Sequence, residues 1–261
     1  KVKRMIIIEG KELEKAIKIC TLRGKYNEGR SNKMGSLSSN IVIKIDDNVY
    51  FQNANEFTYV CYRPTIVSKT GKGTYIIDTD ILLKYIVKSE NMELHFGTNL
   101  EVRCNGSIIT IPQTTTHTNM SVVQKLGARL RDLDNRTIMA NTDEEGIAVT
   151  DTLKLQTVVN LRSEYVVNAV DLAERVGNSV YKLDWYYPTL NISSSENNQK
   201  VETNVEGYDD STPRRATVEL SLPISNIIKD DDELVILFDD ERPAVFANRK
   251  VTVLRAPRLR N

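Results

Sequence analysis

The chain has 261 residues, 40% hydrophobic and 27% charged, and its 35 basic and 35 acidic residues balance to a formal charge of zero. That length suits one large domain or two ordinary ones, and the balance excludes a uniformly basic nucleic-acid binder while leaving a local stripe of charge open. Apolar runs such as Met5–Ile8 and Leu234–Phe238 are too short to span a bilayer, and Glu9 interrupts the basic start KVKRMIII before a signal-like core develops, so a soluble intracellular protein is expected.

In chain order, the Ile-rich stretch Val2–Glu9 reads as a buried strand. Lys11–Cys20 has helical period, with Leu13, Ala16, Ile17 and Cys20 on one face and Lys11, Lys15 and Lys18 on another. Residues 24–39, GKYNEGRSNKMGSLSS, read as a polar, glycine-dotted loop, and Asn40–Ile45, Val49–Gln52 and Phe57–Tyr62 as strands. After Gly71-Lys72-Gly73 the order repeats. Thr74–Asp78 is a strand, Asp80–Lys88 a short helix, and Met92–Phe96, Leu100–Cys104 and Ser107–Ile111 are strands, the last two joined by the hairpin signal Asn105-Gly106.

From Gln113 the pattern changes to a threonine tract. A helix over Val122–Asp134 follows, with Val122, Val123, Leu126, Leu130 and Leu133 in one stripe, and then an acidic turn at Asn141–Gly146. The earlier order then returns with a strand at Lys154–Leu161 and a helix at Ser163–Val176, capped by Ser163, with Val166, Ala169, Val170 and Ala173 inward. Strands are expected at Val180–Tyr187, Leu190–Ser194, Lys200–Gly207 and Thr217–Leu222, a short helix at Pro223–Lys229, and strands at Leu234–Phe238, Ala244–Ala247 and Val251–Leu254.

The chain is therefore an internal repeat. The segment from Thr74 and the segment from Thr217 match at a lag of about 143 residues, pairing Phe96 with Phe238, the Asn105 turn with the Asn248 turn, and Ile111 with Leu254. The helix at Lys11–Cys20 aligns with Glu164–Ala173 at a lag of about 153.

Catalytic and metal-binding patterns are missing. His95 and His117 lack ligand spacing to cysteine or carboxylate, and no Ser-His-Asp arrangement emerges. Lys69–Thr74 lacks the first glycine of a phosphate loop and precedes a strand, so it reads as a turn. The acidic clusters at 143–145, 209–210, 230–233 and 239–241 fall at expected turns, where solvated charge is common. Cys20, Cys61 and Cys104 are widely spaced and read as small buried side chains in a reducing compartment, and Trp185 reads as strand packing. No enzyme activity and no cofactor are expected.

The unit order and the ending PAVFANRKVTVLRAPR resemble the DNA polymerase sliding clamps of the two-domain proliferating cell nuclear antigen type, found in archaea, eukaryotes and their viruses. In that family the last strand ends on a leucine-alanine-proline run followed by a charge. Leu254-Arg255-Ala256-Pro257-Arg258 is similar, with Arg255 inserted. The resemblance implies an α+β fold of duplicated DNA-clamp domains, residues 1–112 and 154–261, each of two β-α-βββ units with helices on one face of curved antiparallel sheets. Residues 113–153 would be the interdomain connector.

It further implies a homotrimeric ring around duplex DNA, a clamp loader, and a DNA polymerase and other partners tethered by short peptides. The location would be the cytoplasm of a prokaryote or virus-infected cell, or a nucleus. The DNA-facing residues would be Lys11, Lys15, Lys18, Lys84, Lys88, Arg175 and Lys229, although the same lysines describe an ordinary solvated helix face. Glu164, Asn168 and Asp171 stand where the first helix has lysines.

The partner-peptide pocket would take Phe57, Tyr59, Pro243, Leu254, Ala256 and Pro257, with Leu254 equally a core residue. Ring closure would use the edge strands carrying Ile108, Ile109 and Thr110 and Val201, Thr203 and Val205. The connector departs from the family in its length and in its helix, whose apolar stripe either covers part of the pocket, docks on a partner or packs in the core. Two alternatives keep the fold: a monomeric accessory subunit holding DNA by charge, and a clamp-derived interaction scaffold.

Overall fold

Alternation of apolar and polar residues builds most of the strands. In β1 (Arg4–Glu9) Ile6 and Ile8 are buried while their neighbours are not, and the same period runs through β7 (Asn91–Phe96) and β13 (Val180–Tyr186). The computed structural model describes residues 4–22, 37–131, 133, 146–178, 180–221, 223–229 and 231–258. Most of the expected loop 24–39, the acidic turn at 141–145, the expected helix end at Asp134 and the basic Arg260 lie outside these residues. Contacts divide the chain into two compact units, residues 1–127 and 128–261.

In unit 1, β1 leads into α1 (Gly10–Cys20), which places Leu13, Ala16, Ile17 and Cys20 wholly inside. Each such Leu or Ile contributes roughly 1.5–3 kcal/mol of burial. Then come β2 (Asn40–Ile45), β3 (Val49–Ala54), β4 (Thr58–Tyr62), the short β5 (Ser68–Thr70) and β6 (Gly73–Asp78). A single turn α2 (Thr79–Leu82) continues as a 3-10 turn at Leu83–Tyr85 before β7, β8 (Asn99–Cys104) and β9 (Ser107–Pro112). Asn105 and Gly106 take φ of 49° and 77°, the paired left-handed conformation that a two-residue hairpin needs. The connector helix α3 (Met120–Leu130) follows, its last three residues falling in unit 2.

Sheet pairing exchanges the leading strands. β1 pairs with β7, Met5 opposite His95, and joins the sheet β5-β1-β7-β8-β9. β6 pairs with β2, Ile76 opposite Val42, and closes the set β4-β3-β2-β6. Each half thus lends its first strand to the other half's sheet, which ties the two into one core.

Unit 2 repeats this design after a small hairpin, β10 (Ile147–Ala148) with β11 (Lys154–Leu155). Its elements are β12 (Thr157–Arg162), α4 (Ser163–Val176), β13, β14 (Thr189–Glu196), β15 (Gln199–Glu206), β16 (Arg215–Ser221), α5 (Ser225–Ile228), β17 (Glu233–Phe238), β18 (Ala244–Ala247) and β19 (Val251–Arg255). β12 pairs with β17 and β16 with β13, so the exchange recurs. The α+β architecture of duplicated units is the one expected.

Several elements differ in detail. The expected helix Asp80–Lys88 stops at Tyr85: the Asp78 carboxylate starts it by accepting from Asp80 and Ile81 N–H, and the β-branched pair Ile86-Val87 leaves it, Ile86 being extended. Lys88 therefore lies in the loop beyond. Pro223 precedes α5, whose cap position is Ile224, instead of opening the helix. Ser163 is the first helical residue of α4, not its cap, and its hydroxyl donates to the Ile228 carbonyl at 2.8 Å. The expected strand Lys154–Leu161 breaks at Gln156, whose N–H is taken by the Asp239 carboxylate at 2.9 Å.

Candidate nucleic-acid and partner surfaces

The lysine face of α1 is interleaved with acid. Lys11 and Lys18 are exposed, while Lys15 is half-buried with its ammonium 5.8 Å from the centre of the Tyr62 ring. Lys18 and Lys88 each reach the Glu14 carboxylate at 3.0 Å. Burial works against the charge on Glu14, yet the two ammonium groups outweigh it and hold the carboxyl below its usual range. Lys11 and Lys88 also share a polar hollow of about 290 Å³ with Glu9, Ser89, Glu90 and Asn91. Lys84 is exposed on the 3-10 turn. The structure thus brings Lys18 and Lys88 together at one acid, and Lys11 and Lys88 at one hollow.

In unit 2, Glu164 and Asn168 are exposed along α4, and Arg175 is bonded to Asp171 one turn earlier. Lys229 is exposed just past α5. Sequence reasoning missed two exposed apolar residues of α4, Tyr165 and Leu172, 55% and 46% exposed. Each stands one residue from the inward stripe, beside Val166 and Ala173, so helical period alone does not decide their side. With Arg162, Asn168, Val205 and Tyr208 they line a groove of about 570 Å³ between α4 and β15.

The outer strands of the two sheets bearing the expected closure strands are treated unequally. β16 is covered by the chain itself: Thr217, Glu219 and Ser221 carbonyls accept from Glu241 N–H (3.4 Å), Arg258 N–H (2.8 Å) and the Arg255 guanidinium (2.9 Å). β5 is only three residues long. β9 and β15 are full-length outer strands, and among the described residues no segment of the same unit pairs with their outer sides. On β9, Ile108 is 61% exposed, Ile109 half-buried and Thr110 exposed; on β15, Val201 and Thr203 are half-buried and Val205 buried.

Of the expected pocket residues in unit 1, Phe57 is exposed in the turn before β4, and Tyr59 is wholly buried with its hydroxyl donating to Gln52 Oε1 at 2.9 Å. In unit 2, Ala244 pairs with Arg255 and Val245 with Leu254. Pro243 therefore comes beside Ala256 at one end of the β18–β19 hairpin, with Pro257 next along and Leu254 buried.

The inserted Arg255 is 5% exposed, and its guanidinium also donates to the Ser221 hydroxyl at 3.0 Å. Burial pulls its pKa down while the nearby Tyr181 works the other way. Sequence reasoning missed this and its neighbour Glu174, a 1% exposed carboxylate accepting from Ile224 N–H (2.6 Å), Ser225 N–H (3.2 Å) and the Ser225 hydroxyl (2.5 Å). Burial pushes Glu174 up to about 7, against the hydrogen bonds that pull it down. Its signal was position: four residues after Val170, it falls on the inward stripe of α4. Among the described residues no cluster of three or more His, Cys, Asp or Glu is arranged to hold a metal ion, and no helix is long and apolar enough to cross a membrane.

Among solved structures, A. fulgidus PCNA bound to the C-terminal region of FEN-1 superposes at a TM-score of 0.68 over 99% of both chains, at 14% identity. The chain has the sliding-clamp fold. Thermococcus kodakaraensis PCNA gives 0.64 over 98% of this chain and 100% of that one, at 16% identity. The Helicobacter pylori beta clamp bound to a DNA ligase peptide gives 0.67 at 14% identity, with 98% of this chain covering 67% of that one. No family model and no curated protein matches the sequence. The clamp fold accounts for the duplication and for the exchange of leading strands, both of which recur in the two units.

Proposed function

We propose that this chain is a subunit of a DNA sliding clamp, a processivity factor whose work is topological instead of catalytic. Residues 1–112 and 154–261 serve as the clamp domains and 113–153 as the connector. The observation that carries this is the pair of uncovered edges: the chain covers β16 and shortens β5, yet leaves β9 in unit 1 and β15 in unit 2 open. An unpaired edge strand is a hazard unless a partner uses it. Strand addition of β9 from one copy onto β15 of the next is a heterologous contact, and such contacts close into a ring when the rotation permits. The groove beside β15, with Tyr165 and Leu172, offers the exposed Ile108 of the neighbouring copy an apolar seat.

In this reading the ring is a homotrimer that slides on duplex DNA, is opened by a clamp loader and tethers a polymerase and other partners through peptides. The neighbours solved with FEN-1 and ligase segments support the peptide mode. Lys11, Lys15, Lys18, Lys84, Lys88, Arg175 and Lys229 make weak phosphate contacts that leave sliding free. Mass measurement in solution tests it: about three chain masses and retention on circular but not linear DNA are expected, and a monomer at micromolar concentration overturns it. The acid interleaved with the lysines favours a second reading, a clamp-derived scaffold without DNA, which predicts partner binding with no retention on either DNA form.

A further inference from the structure

The helix α3 belongs to neither repeat, and what it lies on within unit 1 is well defined. Tyr59 pairs opposite Ala54, so it shares a sheet face with Gln52, two residues away. Tyr62 pairs opposite Phe51 and faces the other side, where its hydroxyl donates to Glu12 of α1 at 2.8 Å. α3 comes to the Gln52–Tyr59 face: a Cβ added at Gly127 would stand 2.3 Å from Gln52 Oε1 and 3.4 Å from the Tyr59 hydroxyl. Helices therefore cover both faces here, and all six residues of β3 are buried.

The start of α3 is pinned to the same strand. His117 Nδ1 accepts from Asn119 N–H at 3.1 Å, which leaves the proton on Nε2 to donate to Asn53 Oδ1 at 3.0 Å. The Asn119 side-chain amide donates to the Ala54 carbonyl at 3.1 Å. Val123, Leu126 and Gly127 are buried, and Gln124, Lys125 and Ala128 are exposed. So the Gln52–Tyr59 part of the face opposite α1 carries a three-turn helix, whose buried apolar side chains are Val123, Leu126 and Leu130 and whose start is tied down by side-chain hydrogen bonds. A helix this short has little stability of its own apart from what it packs on.

We propose that α3 is a resident pseudo-ligand: it occupies a docking face for partner peptides on unit 1 and is displaced when a partner binds. This rests on the reading of the chain as a peptide-tethering clamp. The seated helix also describes the partner's chemistry. The incoming segment is a short helical turn with apolar residues three and four apart, and it places a small residue over the Gln52–Tyr59 pair.

The test uses the full chain and the C-terminal region of A. fulgidus FEN-1 as the probe, the segment bound to the neighbouring clamp. Gly127→Leu forces the Gln52 amide away from Tyr59 and lifts α3, while His117→Ala unpins its start without adding bulk. Either variant should bind the peptide at least tenfold more tightly than wild type, and peptide should speed amide exchange of residues 120–127 in the wild-type chain. Equal binding by all three, with residues 120–127 still protected in the complex, overturns the pseudo-ligand and leaves peptide docking standing. No binding by any of them overturns the docking reading and this inference with it.

Discussion

Replacing Glu174 by Gln removes a charge from a site that resists it while keeping the shape of the side chain. Oε1 would still accept from Ile224 and Ser225 N–H, and the amide could donate to the Ser225 hydroxyl. In wild type the folded state holds the carboxyl proton up to about pH 7, against an ordinary value of 4.5, chiefly because burial disfavours the anion. A raised carboxyl means that the folded chain binds the proton more tightly than the unfolded chain. The resulting stability is fully present below pH 4.5 and is lost as pH rises through about 7. The gap between those values corresponds to about 3 kcal/mol. The Gln variant has no such slope, so relative to wild type it should gain about 3 kcal/mol between pH 4.5 and pH 8. Trp185 is the sole tryptophan, is wholly buried and sits in the same unit, so its fluorescence during denaturant unfolding reports on the right core. A stability difference that stays flat with pH, or that moves in favour of wild type as pH rises, would refute the reasoning. It would mean that the charge-assisted bonds to α5 outweigh desolvation.

Arg255→Ala should cost about 2–4 kcal/mol in the same fluorescence assay, because it strips two hydrogen bonds from Ser221 and empties a buried volume; Arg255→Met should cost less by filling that volume. His117 is held below its ordinary pKa of 6.5, chiefly by burial, so its contribution is present above pH 6.5 and is lost as pH falls through the folded value. Protection of the amides at the start of α3, corrected for the slower intrinsic exchange at low pH, should therefore fall on acidification, and a His117→Gln chain should lose that change. If the chain binds DNA, the combined Lys11→Ala, Lys15→Ala, Lys18→Ala variant should flatten the slope of log K against log salt by about 2 instead of about 3, since Glu14 already offsets Lys18. Glu14→Gln should steepen it by about 1, read from filter or fluorescence titrations at several salt concentrations.

The local pattern carried the strands well, because β7, β13 and β16 are half-buried and alternate, and the Asn105-Gly106 hairpin is set by backbone conformation at two positions. The exchange of β1 and β6 was not legible, since pairing Met5 with His95 is decided by tertiary packing and leaves no mark on either segment. The helix expected over Asp80–Lys88 is shorter in the structure, where the β-branched pair Ile86-Val87 ends it at Tyr85 and Ile86 turns extended. The burial of Arg255 and Glu174 was not legible either. Their burial depends on partners 34 and 50 positions away, which a single segment does not reveal. Lys88 shows the reverse case: its charge was legible, but its pairing with Glu14 of α1 was not.

The charge distribution and the open edges bear on the same question from different sides. A protein that holds duplex DNA by electrostatics alone typically makes several phosphate contacts, and affinities of ~10⁻⁴–10⁻⁶ M at physiological salt are ordinary for such binding. Here Lys18 and Lys88 share Glu14, Arg175 is bonded to Asp171, Glu9 and Glu90 share a hollow with Lys11 and Lys88, and Glu164 is exposed on α4. The net contacts left to a single chain are on the order of one to three, too few for a tight charge-only hold. Closure removes that requirement, because an encircling ring is retained without favourable contact energy and slides more freely when contacts are weak. The interleaved acid is then compatible with DNA only if β9 and β15 join copies of the chain. Breaking that junction, for example with Ile108→Asp, should abolish retention on circular DNA at any salt concentration while leaving each unit folded. Retention that survives the loss of oligomers, and that falls steeply with salt, would show that charge alone does the holding.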